Sequence, residues 1–338
     1  MYKERIVYLD VIRIVACVMV ILMHSPMPDC GAPGFVLTGI SFVTAPSIGL
    51  FFMVSGALLL PTSLSMKEFY KRRLSKIVFP TLIWTFIYLL VKIINGSITI
   101  DQLPSIVLSI PFSAQGDGIL WFMYVLVGLY LITPIISPWL EKASKKEIEL
   151  ILGFWIVSLL YPVLSNVVSI NESNTGILYY FSGFAGYYIL GYYLNHYKPR
   201  VGIITALLMI LLPIIVCGIS IRLYQDVDFY KYFWYLSMFV LSMASGWFCL
   251  LSKINVRGAK LLSVVSSLSF GIYLSHILIM RSFIWKWCSF FNCGYLFQII
   301  FTVILTFVLS FVLAYLLSKL PFGRHIVACR FKIREHTL

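Results

Sequence analysis

The sequence predicts an all-α polytopic membrane protein, a bundle of about ten transmembrane helices with both termini cytoplasmic. Three observations carry that prediction. First, 60% of the 338 residues are hydrophobic and 12% charged, with a mean hydropathy of +0.94, whereas about a quarter of a soluble domain is charged. Second, the apolar residues gather into ten stretches close to the 20 or so residues that a helix needs to cross a bilayer. They lie at 6–25, 41–60, 77–94, 118–138, 148–164, 177–194, 202–220, 232–252, 261–281 and 294–318. Third, 20 of the 26 Lys and Arg residues fall in the two termini and in alternate loops, four in the opposite loops, and two, Arg13 and Lys92, inside spans. The positive-inside rule makes those 20 cytoplasmic. A net charge of +13 would suggest nucleic acid in a soluble chain. Sorted to one membrane face it reports orientation, and no nucleic-acid partner is expected.

The first stretch, IVYLDVIRIVACVMVILMHS, is long enough to span yet contains Asp10, Arg13 and His24. Ionisable residues are expensive inside a membrane, so they face a protein interior or a wet cavity and mark a site. His24 follows Arg13 by eleven residues, about three turns. That spacing puts the two on nearly one face, roughly 16 Å apart, with Asp10 one turn before Arg13. Asp10 lies roughly 21 Å from His24, too far to orient it. An ion pair between Asp10 and Arg13 is expected instead, making burial of both tolerable. The stretch is polar where the core of a cleavable signal is apolar, and no small-residue cleavage site follows, so it should stay as an anchor.

LDVIR followed by ten residues and His, as in Asp10, Arg13 and His24, resembles the first helix of the membrane-bound acyltransferase family 3. Members of that family are multi-pass proteins that transfer acyl, usually acetyl, groups from acyl-CoA to sugars and other extracytoplasmic acceptors. Three further patches resemble the family in the same order. The second span carries FFMVSGALLL, with Ser55 and Gly56, similar to a Phe-x-x-Ser-Gly run; small residues of this kind also mark close helix packing.

Next comes MKEFYKRRLSKIVFP, with Lys67, Lys71, Arg72, Arg73 and Lys76 ahead of Pro80. As a positive-inside loop it would contact lipid headgroups. As a phosphate site it would hold the 3′-phosphate and pyrophosphate of CoA through charge-assisted hydrogen bonds. The family has a similar basic pair, then a basic residue and Pro, at the start of its third helix, although Lys76 stands where Arg is more usual.

The outer segment from Pro26 to Gly39, rich in Pro and Gly, reads as a lid or turn beside His24. The one from Asn95 to Gly118 is too long for a simple turn and has an apolar middle, so it lies at the interface or folds back over an outer cavity. The fourth span, LWFMYVLVGLYLITPII, offers Trp121, Phe122 and Tyr124 to the aromatic belt. Its Trp-Phe followed by Tyr130, Leu131 and Pro134 is also similar to the family's fourth helix. Asp117 beside it is an outer carboxylate placed to reach a sugar hydroxyl.

Segments five to eight are less informative. Tyr179, Tyr180, Tyr187, Tyr188, Tyr192 and Tyr193 would serve as sugar platforms or interfacial anchors equally well. Glu172, Asp226 and Asp228 are outer carboxylates without a motif.

The ninth span, SVVSSLSFGIYLSHILIM, places Ser269, Tyr273 and His276 at four- and three-residue spacing on one helix face. A similar Ser, aromatic, Tyr-Leu-x-His pattern lies near the family's C-terminus. A helix-to-helix hydrogen bond is the structural use of His276, and chemistry beside His24 the functional one. The seven cysteines show no metal-ligand spacing, so no metal is expected. Cys30, Cys288 and Cys293 fall outside, where they either pair or remain packed thiols.

The resemblance implies an acyltransferase domain at residues 1–320 and a basic cytoplasmic tail at 321–338, with no esterase-like domain appended. It implies acyl-CoA, acetyl-CoA in particular, as donor substrate rather than bound cofactor, and a glycan or lipid-linked sugar as acceptor. His24 and Arg13 are its candidate catalytic residues. Arg72, Arg73, Lys76 and Lys71 are the candidate CoA contacts, and Asp10, Ser55, Asp117, Trp121, Ser269, Tyr273 and His276 the supporting or acceptor-side residues. The setting implied is a bacterial cell membrane, with lipids and a second copy of the chain as further partners. From another class, a transporter or flippase of sugars or small polar solutes would also use ten helices with charge inside, though its usual internal repeat is not evident.

Overall fold

In a bilayer no water satisfies the backbone, so an apolar stretch must close its hydrogen bonds within itself, and this chain does so as helix. The structure is a computed structural model describing residues 5–28, 30–114, 120–164, 183–223, 228–255, 260–290 and 294–328. Among the described residues there are helices and no strands, which makes the chain an all-α polytopic membrane protein. Among the described residues, seven helical stretches are long and apolar enough to cross a membrane. The first three are α1 Val7–His24, then α2 Gly34–Thr44 running into α3 Pro46–Leu59, then α4 Met66–Ile94. After the short α5 Leu103–Ser109 comes α6 Trp121–Lys142. The shorter α7 Lys145–Leu159 and α8 Ala185–Tyr197 precede α9 Ile203–Leu223. After α10 Met238–Leu251 come α11 Lys260–Phe290 and α12 Tyr295–Lys319, and a last turn, α13 Gly323–Ile326.

Boundaries depart from the hydropathy reading where polar residues join a helix. α4 begins at Met66, so the basic run from Lys67 to Lys76 is helical rather than a loop. α2 begins at Gly34, which shortens the expected outer turn, and Pro46 takes the first position of α3, where its missing N–H costs nothing. Part of the segment from Asn95 to Gly118 folds as α5, and the Tyr124 hydroxyl donates to the Ile110 carbonyl at 2.5 Å. α7 starts with a capping box in which Ser144 Oγ accepts from the Glu147 backbone N–H and the Glu147 carboxylate accepts from the Ser144 N–H. The Ser237 side chain caps α10, leaving the aromatic run Phe229 to Tyr235 outside that helix. Asp117, Glu172, Tyr179, Tyr180, Asp226, Cys293 and positions 329–338 lie outside the described residues.

Two compact units divide the chain. The first comprises residues 1–23, 32–65 and 132–259, and the second residues 24–31, 66–131 and 260–338. In the first, α3 and α8 touch backbone to backbone. A Cβ on Gly56 would stand 1.8 Å from the Tyr188 carbonyl oxygen, and one on Gly191 1.9 Å from that of Met53. Only glycine at both positions permits this approach. Tyr188 also shares a 2.8 Å hydrogen bond with Thr133. A separate cluster joins Phe42, Ala45, Cys217, Phe233, Val240 and Met243.

In the second unit, Tyr88 of α4 donates to the Leu274 carbonyl at 2.8 Å, and Trp84 to the Ile326 carbonyl at 3.2 Å. Ile279, Ile284 and Cys288 pack with Met27, Phe301, Leu305, Leu309 and Leu313. Two π-helical turns interrupt the long helices, Tyr70–Leu74 in α4 and Met280–Ile284 in α11.

Candidate active site

The second unit gathers most of the candidate residues. His24 ends α1, and its imidazole faces that of His276 on α11, with ring centroids 5.6 Å apart and planes at 37°. His24 is half-buried and His276 fully buried. Tyr273, one turn before His276, lies with its ring centroid 5.5 Å from that imidazole, and Phe122 packs on Tyr273 at 5.2 Å. Trp121, half-buried, is the first residue of α6, immediately before Phe122. Ser269 is buried, and its hydroxyl donates to the Ser266 carbonyl at 2.8 Å.

His276 Nδ1 is hydrogen-bonded to the Tyr273 backbone carbonyl. A carbonyl only accepts, so Nδ1 carries the hydrogen, and in the neutral ring Nε2 bears the lone pair. Nε2 is buried and has no hydrogen-bond partner among the described residues. The backbone thus orients this imidazole as an orienting group does in catalytic histidine arrangements, leaving one nitrogen free to take a proton. The buried Tyr88 bond to Leu274 ties the same turn of α11 to α4.

One turn after His276 the helix widens into its π turn at Met280–Ile284, and the basic cluster sits on the other one. Lys71, Arg72 and Arg73 belong to Tyr70–Leu74, with Lys76 two residues beyond. Irregular turns of this kind occur frequently at functional sites, and no pattern in the sequence announced them. Lys71, Arg72 and Lys76 are exposed and Arg73 is half-buried; Arg72 pairs with Glu68 at 3.1 Å. From Tyr88, which touches the turn before His276, back to Lys76 is twelve residues of α4, roughly 18 Å along the axis.

Asp10, Arg13 and Ser55 belong to the first unit. Asp10 is buried, and its carboxylate accepts from Arg5 Nε at 2.5 Å and Nη2 at 3.0 Å. Sequence reasoning had looked only to Arg13, which is half-buried, because Arg5 stands before the apolar stretch. Ser55 is half-buried beside Gly56, the residue that makes the close contact with α8. A second residue missed is Arg281, on the π turn that follows His276, whose guanidinium lies 5.7 Å from the Trp285 ring centroid. Its only signal was a lone Arg five residues after His276. Cys30 and Cys288 are free thiols, so the pairing left open between them does not occur.

A family model described as an acyltransferase domain matches residues 6–318, nearly the whole chain. Neither the curated proteins nor the solved structures gave a match.

Proposed function

The chain belongs to acyltransferase family 3, and from that premise we propose that it moves an acyl group, acetyl in the first instance, from cytosolic acyl-CoA to a hydroxyl of an extracytoplasmic glycan or lipid-linked sugar. The observation that carries this reading is the pair of imidazoles, His24 and His276, meeting inside an apolar bundle with one nitrogen unpartnered among the described residues. Imidazole exchanges a proton near neutral pH, which suits it to general-base work on a hydroxyl. In the step proposed, His24 takes the acceptor's hydroxyl proton while the hydroxyl oxygen attacks the thioester carbonyl. The carbon–sulfur bond breaks, and the proton passes to the departing thiolate. Transient acylation of the imidazole would use the same geometry. His276 stands behind His24 as its orienting or proton-sharing partner.

We read the seven long helices together with α7, α8 and α10 as ten spans with both termini cytoplasmic, residues 321–338 lying on the inner surface as a basic tail. The basic π turn of α4 then faces the cytosol, where Lys71, Arg72, Arg73 and Lys76 would hold the phosphates of CoA. Its separation from the α11 contact, roughly 18 Å along α4, suits an elongated donor with its anionic end at the turn and its thioester at the histidines. Asp117 and Trp121 are the acceptor-side residues of this reading. Arg13 and the Arg5–Asp10 pair support the opening helix, in a bacterial cell membrane.

The test is His24→Ala in the full-length protein, in cell-membrane vesicles that retain the glycan acceptors, given isotopically labelled acetyl-CoA and assayed by mass spectrometry of those glycans. Loss of a general base costs about 10² to 10⁴ in rate. Near-normal acylation by a well-folded variant refutes the role of His24. No acyl transfer by the wild type refutes acetyl-CoA or a glycan as its substrate.

A further inference from the structure

After α12 the chain turns back onto the second unit as α13, and three contacts fix it there. At Gly323 the turn meets the backbone of α12, where a Cβ would stand 1.7 Å from the Leu317 carbonyl oxygen. His325 packs edge-on against Phe79 of α4, with ring centroids 6.2 Å apart and planes at 88°, and Trp84 donates to the Ile326 carbonyl at 3.2 Å. Val327 is fully buried, and a Cβ on Gly271 of α11 would stand 2.8 Å from the Val327 Cβ and 3.0 Å from that of Ala314. The turn is thus pinned to α12, α4 and α11. Arg324 is held as well, its Nε donating to the Ser318 carbonyl at 3.1 Å, at the helix end that favours a cation. That bond uses one of the five N–H donors of a guanidinium.

What His325 packs on is the lipid-facing side of α4. Phe79, Leu82, Phe86 and Leu90 recur at three- and four-residue spacing and are exposed, while Ile77, Trp84 and Tyr88 on the other side are buried. From Phe79 to Leu90 is eleven residues, roughly 16 Å, about half of the 30 Å hydrocarbon core. One turn before Phe79 the exposed line becomes basic at Lys76, which marks where hydrocarbon gives way to headgroups. α12 ends the same way, its exposed Val308, Val312 and Leu316 followed by the exposed Lys319. His325 is itself exposed, and Phe322 is 81% exposed. Contact with Phe79 therefore places His325, with Arg324 beside it, about one turn to the hydrocarbon side of Lys76. An ionisable side chain there is costly unless a polar group meets it.

We propose that this turn seats one anionic phospholipid, its phosphate held by Arg324 and His325 and an acyl chain laid along Phe79, Leu82, Phe86 and Leu90. A guanidinium suits phosphate, and an imidazole donates an N–H in either protonation state. The charge around the turn selects the headgroup. Residues 260–328 include Lys319 and Arg324 but no Asp or Glu, so an acidic headgroup meets no repulsion, and the ammonium of a zwitterionic one finds no carboxylate to pair with. A phosphate of CoA has the same chemistry, but CoA arrives from water and has no long chain to cover the exposed apolar line that leads away from His325. The proposal rests on the packing of α13 and not on the acyl-transfer reading.

Photo-crosslinking of the unmodified full-length protein tests it without a variant. In phosphatidylcholine nanodiscs carrying a little phosphatidylglycerol with a diazirine in its acyl chain, adducts should concentrate on the peptides that hold Phe79 to Leu90 and Phe322 to Ile326. Excess unlabelled phosphatidylglycerol should remove them, and neither excess phosphatidylcholine nor CoA should. Adducts spread evenly over the exposed faces of α9 and α12 overturn the seat, and displacement by CoA overturns a lipid as its occupant. Native mass spectrometry of the detergent-purified protein then assigns the residues. Arg324→Gln should lower the preference for phosphatidylglycerol over phosphatidylcholine about fivefold, the effect of one cation near a membrane surface. His325→Ala, at an exposed position, should lower it in the same direction with Tm unchanged. A preference kept within twofold in both variants overturns the assignment. No readout here is acyl transfer, so failure of this proposal and failure of the role given to His24 are told apart.

Discussion

Replacing Gly56 by Ala adds one methyl group at the contact of α3 with α8. That methyl carbon would lie 1.8 Å from the Tyr188 carbonyl oxygen, about 1.6 Å short of the 3.4 Å at which ordinary contact begins. The obstacle is helix backbone, so no side-chain rotation relieves it, and the two helices must separate. A radial gap of even 0.5–1 Å forfeits about a quarter to a half of the dispersion energy of each contact across an interface. Here Phe52, Met53, Tyr187 and Tyr188 are fully buried beside it. Overpacking costs about 1–3 kcal/mol in general, and a backbone obstacle belongs at the upper end. Ala returns up to about 1 kcal/mol through helix propensity. The net expectation is a loss of roughly 2 kcal/mol, or several degrees in Tm. Gly128→Ala on α6 is the control, because that glycine is exposed with nothing within 4 Å of a new Cβ; there only the propensity gain remains. Thermal unfolding followed by tryptophan fluorescence in detergent measures both. If Gly56→Ala is as stable as Gly128→Ala, the close approach of these helices is refuted.

Replacing Arg72 and Arg73 together by Gln should weaken CoA binding ten- to a hundredfold for each charge-assisted bond lost, at roughly 1.5–3 kcal/mol apiece; calorimetry showing equal affinity would return this turn to a role in orientation alone. Tyr88→Phe removes the 2.8 Å bond to the Leu274 carbonyl and should cost about 1 kcal/mol, read as a lower Tm; an unchanged Tm would show that the bond does not hold α11. Ser144→Ala should give a pH-dependent loss, since hydrogen bonds from Ser144 hold the Glu147 carboxyl below its usual value of 4.5. A carboxylate depressed on folding adds stability above its unfolded pKa and loses it as pH falls through the lower folded value. The gap between wild type and variant should therefore be full at neutral pH and narrow well below pH 4.5; a gap constant with pH refutes the assignment.

Composition, apolar run length and the sorting of charge are one-dimensional quantities, and they sufficed to predict an all-α polytopic membrane protein. The polar residues that matter most were legible for the same reason. His24 and His276 each interrupt a long apolar helix, where an ionisable side chain is too costly to be incidental. Which of them meet was not legible. The 5.6 Å approach of His24 to His276 depends on helix rotation and register, which are set by contacts such as Tyr88 with Leu274 and Gly271 with Ala314. Arg5, lying outside the apolar stretch, took Asp10 as partner through a local turn that hydropathy does not record. Gly56 was visible as a small residue, but its necessity appears only when the Tyr188 carbonyl stands where a methyl would be. Burial energy depends on how much apolar surface each segment carries, so sequence alone reports which segments enter the membrane. Pairing depends on the direction and depth at which side chains interlock, and those are settled only when the helices pack together.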